Sequence, residues 1–150
     1  MVPVKNNDAN IALITDLSYH SAMFNQNQLN AIDDIIRENL MSAGLDDVIF
    51  IDMAGNTIAK HDNGKSRLDA TAFAALAAGN FAAVDAMAKL VGESEFSLLF
   101  HKGEKSSIHF SKVNDETLLI AMFNKDISLG LVRLKVADTI KRIKTILSNE

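Results

Sequence analysis

The stretch from Leu68 to Val91 contains ten alanines and is apolar on both sides of any helix that it forms. Large side chains recur at three- and four-residue steps along one side, and small ones recur at the same steps opposite. A helix without a polar side has to be covered on both sides, and a small domain can cover one with its own core, here the large row. The large row is Phe73, Leu76, Asn80, Val84 and Met87, and the small row is Ala72, Ala75, Gly79, Ala82 and Ala86.

The row of small residues is predicted to be a docking surface. Alanine and glycine leave room for a second backbone to approach closely, so this side of the helix suits a partner helix or another protein. A second interpretation stays open, in which the helix is sandwiched inside one domain and needs no partner. We assign to an interface with a partner chain Ala72, Ala75, Gly79, Ala82 and Ala86.

Length, charge and cysteine content narrow the class of protein. The chain has 150 residues, of which 48% are hydrophobic, enough for one domain with a sizeable core. Its formal net charge of −4 provides no basic field that would collect nucleic acid. The absence of cysteine removes thiol catalysis, thiolate metal sites and disulfides, and it is compatible with a reducing cytosol. We expect a soluble, cytoplasmic protein with no nucleic-acid partner.

Two segments raise the question of a membrane. Met1 to Asp8 has one lysine and no long apolar core, so we do not expect a signal peptide. The alanine-rich helix is long enough to span a bilayer, but Asn80, Asp85 and the weak hydrophobicity of alanine argue against it. The sequence therefore predicts no membrane insertion.

The hydrophobic periodicity predicts three helices and five strands. Residues 1–23 show no sustained period and are predicted to be an N-terminal extension to a domain at 24–150. Helical stripes run through residues 29–40, the alanine-rich helix and residues 129–147, and the first of them stops at Gly44. Strand patterns occupy residues 48–51, 57–60, 96–101, 107–113 and 118–123, of which 48–51 and 118–123 are continuous apolar runs typical of interior strands. The order α-β-β-α-β-β-β-α predicts an α+β fold, a five-stranded antiparallel sheet sandwiched by helices.

The loop Ala59 to Ser66 matches a loose form of the phosphate-binding loop, with alanine in place of the first glycine. It follows a predicted strand and precedes a helix, so backbone amides, Lys65 and Ser66 could hold phosphates and magnesium. Nucleotide hydrolases of this class need a parallel sheet, whereas the strands here pattern as hairpins, and Asp62 would lie among the phosphates. A polar loop is preferred, and nucleotide binding by Gly64-Lys65-Ser66 remains a minor alternative.

The remaining polar residues form no constellation typical of catalysis or metal binding. His101 and His109 could meet across a predicted hairpin, but they lack a third ligand. The adjacent carboxylates Asp33-Asp34 and Asp46-Asp47 are expected to point apart, and no serine lies in a nucleophile-elbow pattern. The sequence therefore favours binding over catalysis: we predict no active site, no cofactor and no metal.

The last predicted helix is basic around its apolar stripe. These cations could contact an anionic membrane or an acidic partner, but the core-type stripe and Asp138 favour an ordinary solvated outer face. The cations are Arg133, Lys135, Lys141, Arg142 and Lys144.

From about Phe24 to the C-terminus the chain resembles the Roadblock/LC7 family, and within it the MglB-type bacterial polarity proteins. The predicted element order agrees with that family, whose fold is of the profilin-like or longin-like kind. The local matches are Val48–Ile58, Leu76–Asn80, Ala88–Phe96, Phe100–Glu104 and Ser128–Leu134.

This resemblance implies a homodimer whose sheets join edge to edge and whose alanine-rich helices lie side by side. It also implies that the joint surface binds a Ras-like small GTPase of the MglA type. The regulator would stimulate GTP hydrolysis by rearranging the GTPase's own catalytic residues, without an arginine finger, in cell polarity or motility. The five small residues would then belong to the dimer and GTPase platform. Some members of the family are scaffolds that hold a GTPase or motor complex without activating it, so scaffolding is the alternative.

Overall fold

The computed structural model describes residues 24–96 and 99–149, so the predicted extension at residues 1–23 lies outside the described residues. Within them, helices and strands follow one another in the predicted order. The helices are α1 (Gln26–Ile35, prolonged by a π-helical turn Ile36–Leu40 and a 3-10 turn Met41–Ala43), α2 (Ala70–Leu90) and α3 (Leu129–Ser148). The strands are β1 (Asp47–Asp52), β2 (Thr57–Asp62), β3 (Leu99–Lys102), β4 (Ser106–Asn114) and β5 (Thr117–Asn124).

The strands form one antiparallel sheet of five in the order β2-β1-β5-β4-β3. The two continuous apolar runs, β1 and β5, lie at its centre, and every residue of β1 is buried. This placement follows from the sequence, because a strand covered on both faces needs apolar side chains on both. The predicted fold class is therefore confirmed.

One face of the sheet is covered by α1 and α3 together, and we call it the closed face. Asn39 ties the two helices, since its Nδ2 donates to the Lys135 carbonyl oxygen at 3.1 Å and to Thr139 Oγ1 at 2.7 Å. The core between helices and sheet is built from large side chains, all buried: Ile32, Ile36, Leu40, Phe50, Leu119, Val132, Val136 and Ile143.

The opposite face carries α2 alone, and we call it the open face. Here the strands contribute large residues such as Ile49, Ile51 and Ile120, whereas the helix contributes alanine. A single helix cannot cover a five-stranded sheet as two helices do, so this face has the smaller core.

Short polar side chains fix where the helices begin. Asn25 and Gln28 form a reciprocal capping box at the start of α1, and Ser128 caps α3 by accepting from the Leu131 amide. Gly44, at φ 96°, ends the α1 region in the left-handed conformation that glycine adopts most easily. The predicted order of elements rested on hydrophobic periodicity, and these caps agree with it.

Candidate functional site

Helix α2 contacts the sheet through buried alanines and through the partly buried Phe73 and Phe81. Ala74, Ala77, Ala78 and Ala88 are its buried residues. The prediction that the large row faces the core is wrong for Leu76 and Met87, which are 74% and 52% exposed, whereas Phe73 of that row is partly buried against the core. Alanine lets the helix backbone lie close to the strands, so the helix is rotated by roughly a quarter of a turn from the predicted orientation.

The side of α2 that faces away from the sheet is exposed and apolar. All five small residues that the sequence assigned to an interface are exposed. Leu76, Met87 and Leu90 flank them, with exposed fractions of 74%, 52% and 87%. Exposed apolar patches of this kind are common at sites of contact with other molecules. We call it the α2 surface, made of Ala72, Ala75, Leu76, Gly79, Ala82, Ala86, Met87 and Leu90.

Polar groups lie at the margin of the α2 surface and not within it. Lys89 Nζ and Asp85 Oδ2 form an ion pair at 3.0 Å, and Asn80 Nδ2 lies 3.3 Å from His101 Nε2 on the edge strand β3. Each of these groups already has a partner in the subunit, so the α2 surface itself presents only apolar groups.

Two local contacts hold α2 in this position. Asp69 caps its first turn by accepting from the Ala72 amide at 3.1 Å. The β1–β2 turn lies against the N-terminal third of the helix: a Cβ added to Gly55 would lie 2.9 Å from Ala75 Cα, and Gly55 also has a φ of 91°. The turn therefore requires glycine at position 55, both for its positive φ and for the absence of a side chain. Its contact with Ala75 fixes the distance between helix and sheet.

By length and composition, α2 is also the one described helix that is apolar enough to cross a membrane. This criterion is weak, because a helix of a soluble domain satisfies it as well. The alanine strip that packs on the sheet and the Asp85–Lys89 ion pair give α2 a place within the folded domain.

The loop of Gly64, Lys65 and Ser66 does not have phosphate-loop geometry. Helix α2 begins only at Ala70, and its first turn is capped by the chain's own aspartate. The Gly64 amide donates to Asp62 Oδ1 at 2.7 Å, and the Lys65 amide donates to Asn63 Oδ1 at 2.9 Å. Because these amides are engaged, the geometry does not support the nucleotide-binding alternative.

His101 and His109 do not meet across the hairpin. In the β3–β4 register His101 pairs with Ile108 and His109 with Phe100. His101 packs edge-on against Phe110 on the open face, whereas His109 lies on the closed face with Ser111 Oγ 3.1 Å from its Nδ1. Among residues 24–96 and 99–149, no three histidine, aspartate or glutamate side chains group so as to hold a metal ion.

Two buried titratable groups have shifted pKa values. Burial raises the pKa of Asp47, on the open face, and its Oδ1 has no hydrogen-bond partner within the described part of the chain. Burial lowers the pKa of His109, and the charge of Arg133 lowers it further. The two groups lie on opposite faces of the sheet, so they do not form an acid–base pair.

Sequence reasoning missed the C-terminal end of the α2 surface. Leu90 and the adjoining Val91 are both strongly exposed, and so is much of Phe96. The available signal was two apolar residues immediately after Lys89 and immediately before Gly92, which has the positive φ of a helix end. Apolar residues at a helix end extend the candidate interface towards the edge strand β3.

Comparison with known proteins gives the same architecture. A model of the Roadblock/LC7 domain matches residues 32–123. MglB from Myxococcus xanthus is 30% identical with a TM-score of 0.77, over 85% of this chain and 97% of that one. The gliding protein MglB of Thermus thermophilus is 25% identical, also with a TM-score of 0.77, over 85% of this chain and 96% of its own.

A Roadblock/LC7 domain from Streptomyces avermitilis shares the fold at 14% identity, with a TM-score of 0.67 over 77% of this chain and 96% of its own. No curated protein matches the chain by sequence. The likeness to the two MglB structures covers most of this chain and nearly all of theirs.

Proposed function

Because this chain belongs to the Roadblock/LC7 family, we propose that it is a homodimeric cytoplasmic regulator that binds a Ras-like small GTPase and stimulates its GTP hydrolysis. The likeness to MglB, including a gliding protein of that name, supports a role in cell polarity or motility. The proposed partner is a GTPase of the MglA type.

The observation that carries this proposal is the α2 surface. A folded subunit presents eight neighbouring apolar residues on one helix, three of them large and more than half exposed. Leaving such a surface in water is unfavourable, by about 25 cal/mol for each Å² that a partner would cover. A second subunit and a GTPase together would cover it.

Dimerisation by sheet edge and helix is compatible with the subunit. Strand β3 is an edge strand, and within the described residues its outer side pairs with no other strand. The α2 surface rises beside that edge, since Asn80 of α2 contacts His101 of β3. A two-fold axis near this edge would bring both features of one protomer against the same features of its partner.

Stimulation of hydrolysis would act through the GTPase's own residues. The α2 surface contains no arginine, no carboxylate and no other group that could stabilise charge on a transferred phosphoryl group. We propose that its packing fixes the catalytic residues of the GTPase in their productive arrangement, which lowers the barrier by orientation.

Gly79→Arg is the variant that tests the proposal. A side chain added at Gly79 meets nothing within 4 Å in the subunit, so the variant is expected to fold. It places a long cation on the α2 surface and should abolish GTPase binding, as should Ala75→Arg. Asn30→Arg, on the exposed side of α1, is the matched control and should bind as wild type does.

The measurements are molar mass by light scattering, binding to the GTP-loaded GTPase by calorimetry, and single-turnover hydrolysis at saturating regulator. Wild-type protein should be a dimer and should accelerate hydrolysis. Unchanged binding by a folded Gly79→Arg variant would overturn the assignment of the α2 surface.

A second candidate function is a scaffold that holds a GTPase or motor complex without altering turnover. The wholly apolar character of the α2 surface favours it, because that surface offers no group to the nucleotide. Binding at unchanged hydrolysis rate in the same assay would select the scaffold.

A further inference from the structure

A groove runs along the closed face between α3 and the β3–β4 hairpin. Helix α3 packs over β4 and β5 and leaves β3 uncovered on this side. Two neighbouring cavities, which share no lining residue, make up this groove along one flank of α3 from Leu129 to Ile140, a length of roughly 16 Å at 1.5 Å per residue. The groove lies on the face of the sheet opposite the α2 surface.

The end of the groove near the start of α3 is an apolar cavity of about 490 Å³. Phe100 and Phe123 form its floor with nearly parallel rings, whose centroids are 6.1 Å apart. Ile127 and Leu129 form its wall. A cavity of this volume and lining accepts one or two large aliphatic or aromatic side chains.

The middle of the groove is a second, more open cavity of about 470 Å³. On the α3 side this cavity is lined by the small residues Gly130 and Ala137. Leu134, whose side chain is 67% exposed, lies next to them. His109 and Ser111 form its floor. Small residues that alternate with an exposed leucine along a helix flank are suited to the close approach of another helix.

The rim of the groove is positively charged in a protein whose net charge is −4. Glu104 is the one acid among the described residues that line either cavity. Within residues 24–96 and 99–149, the basic side chains on the rim form no ion pair. Their charge is therefore available to a ligand. The basic side chains are Lys102, Lys105, Lys125 and Arg133.

We propose that this groove binds an acidic amphipathic helix of a partner protein. Large apolar side chains on one side of that helix would fill the Phe100–Phe123 cavity and pack against Leu134. Glutamates and aspartates on its flanks would pair with the rim cations. A nucleic acid would leave the apolar cavities unfilled, and a flat membrane would not enter a concave groove. A regulator built in this way could hold a GTPase on one face and a second protein on the other.

The test uses the full-length chain and three synthetic peptides measured by fluorescence anisotropy. The first is a helix-forming 15-residue peptide with leucines at helical spacing and glutamates elsewhere. The second replaces its glutamates by lysines, and the third replaces its leucines by serines. The first should bind, with an affinity that falls as salt is raised, and the other two should bind at least tenfold more weakly.

Paired variants assign that binding to the groove. Arg133→Glu should weaken binding of the acidic peptide at least tenfold, and Leu134→Ser should weaken it severalfold. Both side chains are exposed, so the fold is preserved. Lys65→Glu makes the same change of net charge in the β2–α2 loop and should alter the affinity less than twofold.

Other occupants give distinguishable results, each of which overturns the proposal. One is that phosphatidylserine vesicles, or a single-stranded oligonucleotide, bind in an Arg133-dependent manner while the acidic peptide does not. Another is that a peptide of residues 1–23 binds the groove in place of the acidic peptide. A third is that Arg133→Glu converts the dimer to monomers, which would assign the groove to a second copy of the chain. Equal binding of acidic and basic peptides also overturns it.

Discussion

The two faces of the sheet are built from different side chains. On the closed face, two helices bury large residues and are joined by the Asn39 hydrogen bonds. On the open face, one helix touches the sheet through alanine and the partly buried Phe73 and Phe81, and it turns leucine and methionine outward. The closed face therefore buries more large side chains within the subunit. The open face leaves large apolar residues exposed, and on the function proposed above a partner would cover them.

The largest expected effect is a loss of core packing on the closed face. Ile36→Ala removes a fully buried side chain and should lower the free energy of unfolding by about 2–5 kcal/mol. Leu76→Ala is the matched change on the open face and should lower the free energy of unfolding of an isolated subunit by no more than about 0.5 kcal/mol, because that side chain is exposed there. Denaturant unfolding at a protein concentration low enough for the subunit to be monomeric measures both. Comparable losses would mean that the α2 surface contributes to subunit folding, and the contrast between faces would fail.

A second prediction concerns how α2 is held above the sheet. Gly55→Ala and Gly64→Ala both place a side chain at positive φ, but only Gly55 has backbone within contact distance. Gly64→Ala should cost about 1 kcal/mol from backbone strain alone. Gly55→Ala adds a clash with α2 and should cost about 2 kcal/mol more. The measurement is the difference between the denaturant midpoints of unfolding of the two variants. Equal midpoints would show that contact with the β1–β2 turn does not hold α2 in place.

The pH dependence of stability should differ in sign between the faces, and the larger effect is expected from His109. Burial and Arg133 lower its folded-state pKa below the ordinary value of 6.5, so the unfolded chain binds the proton more readily. The contribution of neutral His109 to the free energy of unfolding is complete above pH 6.5, and it is lost as the pH falls from 6.5 through the pKa of His109 in the folded protein. The slope is at most about 1.4 kcal/mol per pH unit for one proton. Replacing the imidazole in His109→Gln should flatten unfolding curves measured from pH 7.5 to 5; an unaltered slope would contradict this.

The smallest effect is expected from Asp47 on the open face. Burial raises its folded-state pKa above 3.8, so the folded protein binds this proton more readily than the unfolded chain. The charged form thus destabilises the fold at neutral pH, and the penalty is relieved as pH falls through the folded pKa. Asp47→Asn should raise the free energy of unfolding at pH 7 by up to about 1 kcal/mol, with a smaller gain at pH 4. Ser66 hydrogen-bonds the carboxylate and lowers its pKa against the effect of burial, so a variant less stable than wild type at pH 7 would show that this hydrogen bond outweighs the cost of burial.

Much of the architecture could be read from local patterns. The continuous apolar runs predicted the central strands β1 and β5, and the stripe of residues 29–40 predicted α1 as far as its glycine stop at Gly44. These signals are local, because a strand buried on both faces and a helix buried along one stripe each have a characteristic spacing of apolar residues. The same spacing predicted that the small row of α2 would be free of the subunit's own core, and all five of its residues are exposed. Their role as an interface stays a prediction.

The orientation of α2 could not be read in the same way. A helix that is apolar all round has no strong periodic signal, so nothing in its pattern says which side meets the sheet. The orientation of α2 is set by the close approach of the Gly55 turn to Ala75 and by the packing of Ala74, Ala77 and Ala78 on the strands. The facing of His101 and His109 was also misjudged, because their separation in sequence does not give the register of the hairpin.

The sequence alone determined the order of elements, the central strands and the presence of a helix with too much apolar surface for one small domain. These follow from the spacing of apolar residues along the chain, because every apolar side chain is stabilised by removal from water wherever it lies. Only the tertiary structure decided which apolar residues of α2 are left over, and that a basic groove lies on the far side of the sheet. Both depend on how separate segments dock, because exposure and charge at a surface come from residues that are distant in the chain and become neighbours only on folding.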